Sequence, residues 1–328
     1  DFTFLQSRLT FTADIFERKV TDILIPGGKD YPALIGDDDL PFENAGILKT
    51  TGFELQAKWS DKLANGFRYS VGVALSDDKA KVVSYPSNPT NKIGDGVLYK
   101  GYTVGDIWGY VTGGILQEGD FDGVGANGKP LYHGPYFKGG QAYPGYIWYQ
   151  DLDHDGVITT GLNTVDDPGD RKVIGNNAPR YRYNITANFQ YKGFDLDLMF
   201  QGVGKRDYWL SSTSSYWGNG AGSWEVYNNS WTPERTDAKF PMYGSGTGSY
   251  PQTGYLLDAS YIKLKQVILG YTFPRTLINK IGLEKLRLNL AAYNLFTISD
   301  MPKYYDADYL SDAYPPKRTF SVGIQVGF

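Results

Sequence analysis

Between Tyr181 and Gly202 the chain alternates apolar and polar residues with a period of two. Tyr183, Ile185, Ala187, Phe189 and Tyr191 take one phase, and Arg182, Asn184, Thr186, Asn188 and Gln190 take the other. After Lys192-Gly193 the alternation restarts, with Phe194, Leu196, Leu198 and Phe200 against Asp195, Asp197 and Gln201. A period of two sends successive side chains to opposite faces of a strand. A Lys-Gly pair between two such arms suits a two-residue hairpin turn. Each arm runs to about ten residues, where soluble strands average about five or six and a tilted membrane-spanning strand needs about ten. Aromatic residues on one face and charges on the other read as a hairpin of an outer-membrane β-barrel, lipid outside and water inside.

Six further segments carry the same two-faced pattern. They are centred on Leu9–Ile15, Phe53–Trp59, Phe67–Leu75, Tyr261–Phe273, Leu286–Ala292 and Phe320–Phe328. The phase breaks near Gln6 and near Gln266, and both breaks are read as bulges, each an extra residue in one strand. With the central hairpin this predicts eight strands. Short links (Ser60–Gly66, Lys192-Gly193, Pro274–Glu284) alternate with long ones near 19–44, 81–178, 205–257 and 300–317. Barrels of the outer membrane sort their connections this way, short turns on the periplasmic side and long loops outside. The expected architecture is therefore an all-β, antiparallel transmembrane barrel segment with long extracellular loops, extending over 1–328. The link 81–178 holds Trp108, Tyr110, Trp148 and several turn signals, so it is expected to be folded.

Composition narrows the function classes. Gly (40), Tyr (27) and Trp (7) are abundant, which suits barrel corners and aromatic girdles. There is no Cys, so thiolate metal sites and Cys nucleophiles are excluded. A formal charge of −4 without a basic block gives no support for nucleic acid as a partner. No apolar run of about 18 residues is present, which removes a helical membrane protein. A strand pattern starts at Asp1 with no leader before it. The expectation is either a leader cleaved just before Asp1 or the C-terminal part of a longer chain.

Several stretches resemble the C-terminal barrel region of SusC/RagA-type TonB-dependent outer-membrane transporters of Bacteroidetes. They are Asp151-Leu-Asp-His-Asp-Gly-Val-Ile, Asp170-Arg-Lys-Val-Ile-Gly-Asn, Tyr191-Lys-Gly-Phe-Asp-Leu through Phe200-Gln-Gly, and Trp231-Thr-Pro-Glu. Further on come Ser260 through Pro274, Asn294-Leu-Phe-Thr, and the terminal Gly327-Phe328. They follow the family's order over about half of the chain. The resemblance implies the last part of a 22-stranded barrel, whose plug and earlier strands lie on the remainder of the transporter. It implies import of oligosaccharides or oligopeptides with a SusD-like surface lipoprotein, driven through TonB–ExbB–ExbD, and no enzymatic activity. The alternatives are a self-contained eight-stranded outer-membrane barrel acting as an adhesin or surface-binding protein, and a soluble calcium-dependent carbohydrate-binding β-protein.

Candidate chemistry sits in the connections. Asp151, Asp153, Asp155, Gly156 and the carbonyl of Val157 have the D-x-D-x-D-G spacing of a calcium loop, in which alternate carboxylates converge on one hard cation. Position twelve is Leu162, not an acid; the resemblance gives the closing role to Asp170, while Asp166 and Asp167 are nearer in sequence. The calcium would be structural, since no general base or nucleophile accompanies it. Trp108, Tyr110, Trp148, Trp217 and Trp224 are the aromatic candidates for gripping a ligand, against a bland reading as girdle or loop core. Arg182, Asn184, Asn188, Gln190, Asp195, Asp197, Arg287 and Asn289 are expected to face the lumen. His133 and His154 stand far apart in separate loops and form no catalytic constellation.

Overall fold

A computed structural model describes residues 1–27, 41–94, 96–210, 224–245, 249–303, 305–310 and 316–328. Its frame is one antiparallel sheet of nine strands: β1 (Phe2–Phe4), β2 (Leu9–Pro26), β3 (Phe42–Lys62), β4 (Arg68–Ser84), β5 (Arg180–Tyr191), β6 (Phe194–Lys205), β7 (Tyr261–Thr272), β8 (Lys285–Ser299) and β9 (Thr319–Gly327). Each strand pairs with its neighbour in sequence, so the sheet is a plain meander. Its two end strands are not paired with each other, which leaves an open wall and not a closed eight-stranded barrel. Among the described residues no helix is long and apolar enough to cross a membrane.

Register explains why the alternation was readable. Phe2, Phe11, Ala57, Val73, Ile185, Phe200, Leu264 and Phe296 stand opposite one another in a single row across eight strands. The next row down is Leu9, Trp59, Val71, Ala187, Leu198, Val267, Ala292 and Phe320. On the other face Lys58, Gly72, Thr186, Met199 and Gln266 form a row, and Ser70, Asn188, Asp197 and Ile268 form another. One face is thus a continuous apolar band, with Ile15, Leu290, Phe320 and Val322 more than half exposed. A band this wide, left bare of protein, matches the lipid-facing side of a barrel wall. Phe67, Phe189 and Tyr191 cluster at its short-turn end, and Phe194 lies 4.5 Å from Tyr271, as aromatic girdles do.

The Lys192-Gly193 turn is a two-residue loop with both residues at positive φ (47° and 88°), the geometry that follows the twist of paired strands. The irregularity near Gln266 is present: Met199 faces Gln266 and Phe200 faces Leu264, so Lys265 is the extra residue. The break near Gln6 is different. Leu5, Gln6 and Ser7 all take positive φ (58°, 57°, 64°) and turn the chain back, so Phe2–Phe4 pairs with Leu9–Phe11 as a ninth strand. Strands β2, β3 and β4 run for 18, 21 and 17 residues and climb beyond the apolar band on the long-connection side. The link after β7 is capped by short helical turns, Arg275–Ile278 and Asn279–Ile281.

Above the wall lies a loop layer. Asp106–Tyr110 pairs with Arg171–Asn176, and Ile147–Tyr149 pairs with Thr112–Ile115. Its core gathers Tyr110, Ile147, Tyr149, Ile158, Leu210, Val226, Phe240 and Tyr255, drawn from two separate connections. A smaller cluster of Val82, Ile93, Tyr99 and Tyr102 packs the layer onto the polar-phase side of β4.

Candidate functional site

Three features carry chemistry: the polar wall, the loop layer and the acidic loop. All eight residues expected to face the lumen lie in one phase of the sheet. Asn188 donates to Asp197, Gln190 stands opposite Asp195, and Arg287 pairs with Asp195 from two strands away. Near the long-connection end the wall bounds an open cleft of about 600 Å³ lined by Asp14, Glu54, Arg182, Asn184, Arg206 and Tyr261. A second open hollow, about 660 Å³, lies at the short-turn end beside Arg68, Asp195 and Arg287. Mixed charge on an open polar wall suits contact with hydrated ligand or another polar protein surface.

The connection after β8 folds back over this wall. Lys263, on the polar phase of β7, is 1% exposed, and its Nζ donates to both carboxylate oxygens of Asp306 at 2.9 Å and to Asp308 at 3.2 Å. Lys265 reaches Asp308 at 3.2 Å, and the Tyr261 hydroxyl donates to it at 2.6 Å. A buried ammonium is tolerated only when paired and hydrogen-bonded, so this network holds the segment down. The sequence pattern did not reveal it. Its only trace is a lysine in the inward phase and two alternate aspartates in the following loop.

In the loop layer Gln252 is fully buried. Its amide donates to the Tyr149 hydroxyl at 3.0 Å and its carbonyl accepts from Thr112 at 3.0 Å. One side chain thereby ties the connection after β6 to the connection after β4. Burial raises the Tyr149 phenol well above its ordinary pKa, and burial with neighbouring tyrosines pushes Tyr136 up to about 12. Both remain neutral hydroxyls over the physiological range.

The five aromatic candidates separate. Tyr110 is 3% exposed in the loop core, its ring 4.9 Å from Tyr149, so packing and not ligand contact uses its faces. Trp108 is half-buried and donates to the Tyr99 hydroxyl at 2.9 Å. Trp148 lies over Gly113, where a Cβ would come within 2.4 Å of the indole. Trp224 is open, 77% exposed, with Tyr227 and Tyr243 following at 5.9 Å spacings. Trp217 lies outside the described residues.

The acidic loop brings Asp151, Asp153 and Asp170 together, with one oxygen of each within 4.8 Å of the others. Asp170 is fully buried and oriented by the N–H groups of Leu152 (2.8 Å) and Thr159 (2.7 Å). Among the described residues no cation pairs with it. Asp151 accepts from His154 and Gly156, and although desolvation opposes it these N–H groups hold its pKa below the usual value. Asp153 is shifted the other way, by desolvation and by the charges of Asp170, Asp155 and Asp151. The carboxylate of Asp155 is outside this group and accepts from Val157 N–H at 2.9 Å, while Val157 pairs with Tyr136 in a short parallel bridge. Three carboxylates that converge within 4.8 Å, with no ion-pair partner among the described residues, are a donor set that fits a hard divalent ion.

No family model matches the chain. It is 27% identical over its whole length to TonB-dependent receptor P3 of Formosa agariphila, covering 33% of that receptor. It is 26% identical, again over its whole length, to TonB-dependent receptor SusC of Bacteroides thetaiotaomicron, covering 31% of it. In three dimensions it matches the RagAB peptide importer in the 'open-open' state with a TM-score of 0.71 at 21% identity, over 98% of this chain and 33% of that one. The 'closed-closed' state gives 0.69 at 18% identity. The chain therefore spans about a third of the length of the curated relatives it matches, and the resemblance read from its motifs holds: it is similar to a region of SusC-type TonB-dependent receptors, with a RagA-like wall.

Proposed function

We propose that this chain supplies wall and external loops to a TonB-dependent outer-membrane importer that takes up oligosaccharides or oligopeptides. The observation that carries this reading is the nine-stranded meander, bare and apolar on one face and polar on the other, with its large connections gathered into one layer above it. Similarity to SusC and to TonB-dependent receptor P3 supports it, and the RagAB fold match supports a peptide as one ligand class. The two unpaired sheet ends would join the remaining strands of the transporter, and the polar wall would face a plug. A SusD-like lipoprotein would close the loop layer from outside, and TonB–ExbB–ExbD would supply the energy. Of the aromatic candidates, Trp224 with Tyr227 and Tyr243 offers open ring faces to a ligand held there. No catalytic role is assigned.

In the same reading calcium, held by Asp151, Asp153 and Asp170, is structural and fixes the loop between Gln150 and Arg171. If so, adding calcium raises the unfolding temperature of the detergent-purified receptor, and Asp170→Asn abolishes that increment. An equal increment in the variant would remove the metal from the account.

The test of function is native electrophoresis of detergent-extracted outer membranes, followed by mass spectrometry of the band that contains this chain. Co-migrating plug-domain peptides and a SusD-like lipoprotein are expected. A band holding only a barrel with no plug would defeat the importer reading.

A further inference from the structure

Above the apolar band, the outward phase of β2, β3 and β4 turns basic. Lys19, Lys49 and Lys81 face one another directly across the three strands, and Lys79 lies one outward position below, in the row Glu17, Thr51, Lys79. These side chains share their phase with Ile15, Phe53 and Leu75, the last apolar residues of that part of the lipid-facing side. Like charges placed directly opposite destabilise a sheet unless something neutralises them. Within the chain only part of that charge is met. Lys49 pairs with Glu17 at 2.9 Å, and among the described residues Lys19, Lys79 and Lys81 have no ion-pair partner. The nearby acids are engaged: Asp77 and Asp78 by Arg180 and Arg182, and Asp22 by the Thr21 hydroxyl.

The placement is local. On the inward phase of the same strands Val82 and Leu48 pack beneath the loop layer, so these lysines cannot be reached from the lumen side. Across β6, β7 and β8 the outward residues nearest the long-connection end are Gly204, Ile262 and Ile298, with no lysine. The row lies four residues past Ile15 and Phe53, about 13 Å along a strand and about 10 Å of height at the usual barrel tilt. Lipid headgroups begin at that height, just outside the hydrocarbon.

We propose that the outward face of β2–β4 is a binding site for the phosphate groups of anionic lipid in the outer leaflet. Lys19, Lys79 and Lys81 are its free ligands, and the Lys49–Glu17 pair is its fixed centre. The inference rests on the membrane reading given above. Lysine stems lie along the apolar surface while their ammonium groups meet phosphate, and each such cation near an anionic surface changes affinity by about fivefold.

The test uses the intact receptor reconstituted into phosphatidylcholine nanodiscs containing a minor fraction of bisphosphorylated lipid A or of its dephosphorylated form, and lipid retained after detergent exchange is quantified by native mass spectrometry. The wild type is expected to retain the phosphorylated lipid preferentially. Lys19→Gln/Lys79→Gln/Lys81→Gln should reduce that preference by roughly a hundredfold, whereas Arg18→Gln, on the opposite phase, should leave it unchanged. Heat-modifiable migration reports that each variant is folded. Equal retention by folded wild type and triple variant would overturn the proposal, as would displacement by free inorganic phosphate as effective as by lipid A. Failure of the wild type to enter nanodiscs at all would instead overturn the membrane reading on which it rests.

Discussion

At the scale of single residues, the most deeply buried ion-pairing side chain among the described residues is Lys263. Its ammonium is buried beneath the segment that carries Asp306 and Asp308. Lys263→Ala would leave two carboxylates facing each other without their shared cation, and losing one partner of such a buried network costs about 3–5 kcal/mol. Urea unfolding of the purified protein measures this; a loss under about 1 kcal/mol would show the segment is held by its apolar contacts instead. Asp308 gives the pH sense. Burial works against its charged form, but the Tyr261 hydroxyl and the ammonium groups of Lys263 and Lys265 prevail and hold its pKa below the usual aspartate value. A depressed folded-state pKa gives stabilisation that is full above the unfolded value and is lost as pH falls through the folded one. Amide exchange in residues 305–310, corrected for intrinsic rates, should therefore be unchanged from neutral pH down to about 4 and rise only below that. An increase already at about pH 6 would contradict the assignment.

At the scale of elements, the β5–β6 turn is the sharpest case. Gly193 sits at φ +88°, and a Cβ there would lie 2.7 Å from the Thr272 carbonyl oxygen. Gly193→Val combines a left-handed backbone with that contact and should cost more than about 2 kcal/mol, read as a lower urea midpoint; Lys192→Asn, which favours positive φ, should be neutral or better. This turn, the eight long strands and the irregularity at Lys265 were legible because lipid on one side and water on the other force a period of two. The hairpin at Leu5-Gln6-Ser7 was not, since none of its three positive-φ residues is the Gly or Asn that signals such a turn. The upper parts of β2–β4 were equally hidden, because past Ile15 and Phe53 neither phase is consistently apolar. In the acidic loop, spacing pointed to Asp151 and Asp153 and family resemblance to Asp170, and these are the three carboxylates that converge. What spacing could not show is that Asp155 turns back onto Val157. Nor could it separate buried Tyr110 from exposed Trp224, since aromatic loop residues look alike until contacts from distant segments cover some of them.

At the scale of the whole molecule, the two faces make opposite demands. Leu198 lies at mid-height in the apolar row, and Leu198→Arg should cost about 2–4 kcal/mol of folding into bilayers. Asn188→Arg, one position away in register but on the polar face, should cost less than about 1 kcal/mol. Folding yields into lipid vesicles, compared for the two variants, check the assignment of faces; equal losses would refute it.

The meander is also uneven along the chain. Every strand of the sheet pairs with the next of the nine, but the links differ in length, and the longest, from Tyr85 to Pro179, separates β4 from β5. Closing a loop of that length late in assembly is entropically slow, whereas hairpins close early. The loop layer shortens the path: the ladder between Asp106–Tyr110 and Arg171–Asn176 brings the two ends of the connection side by side, and Asp77–Arg180 and Asp78–Arg182 join them at the strand boundary. The loop layer thus fixes the two ends of the longest connection against each other, as a jig would. Holding those ends together shortens the effective loop that must close before β4 can pair with β5.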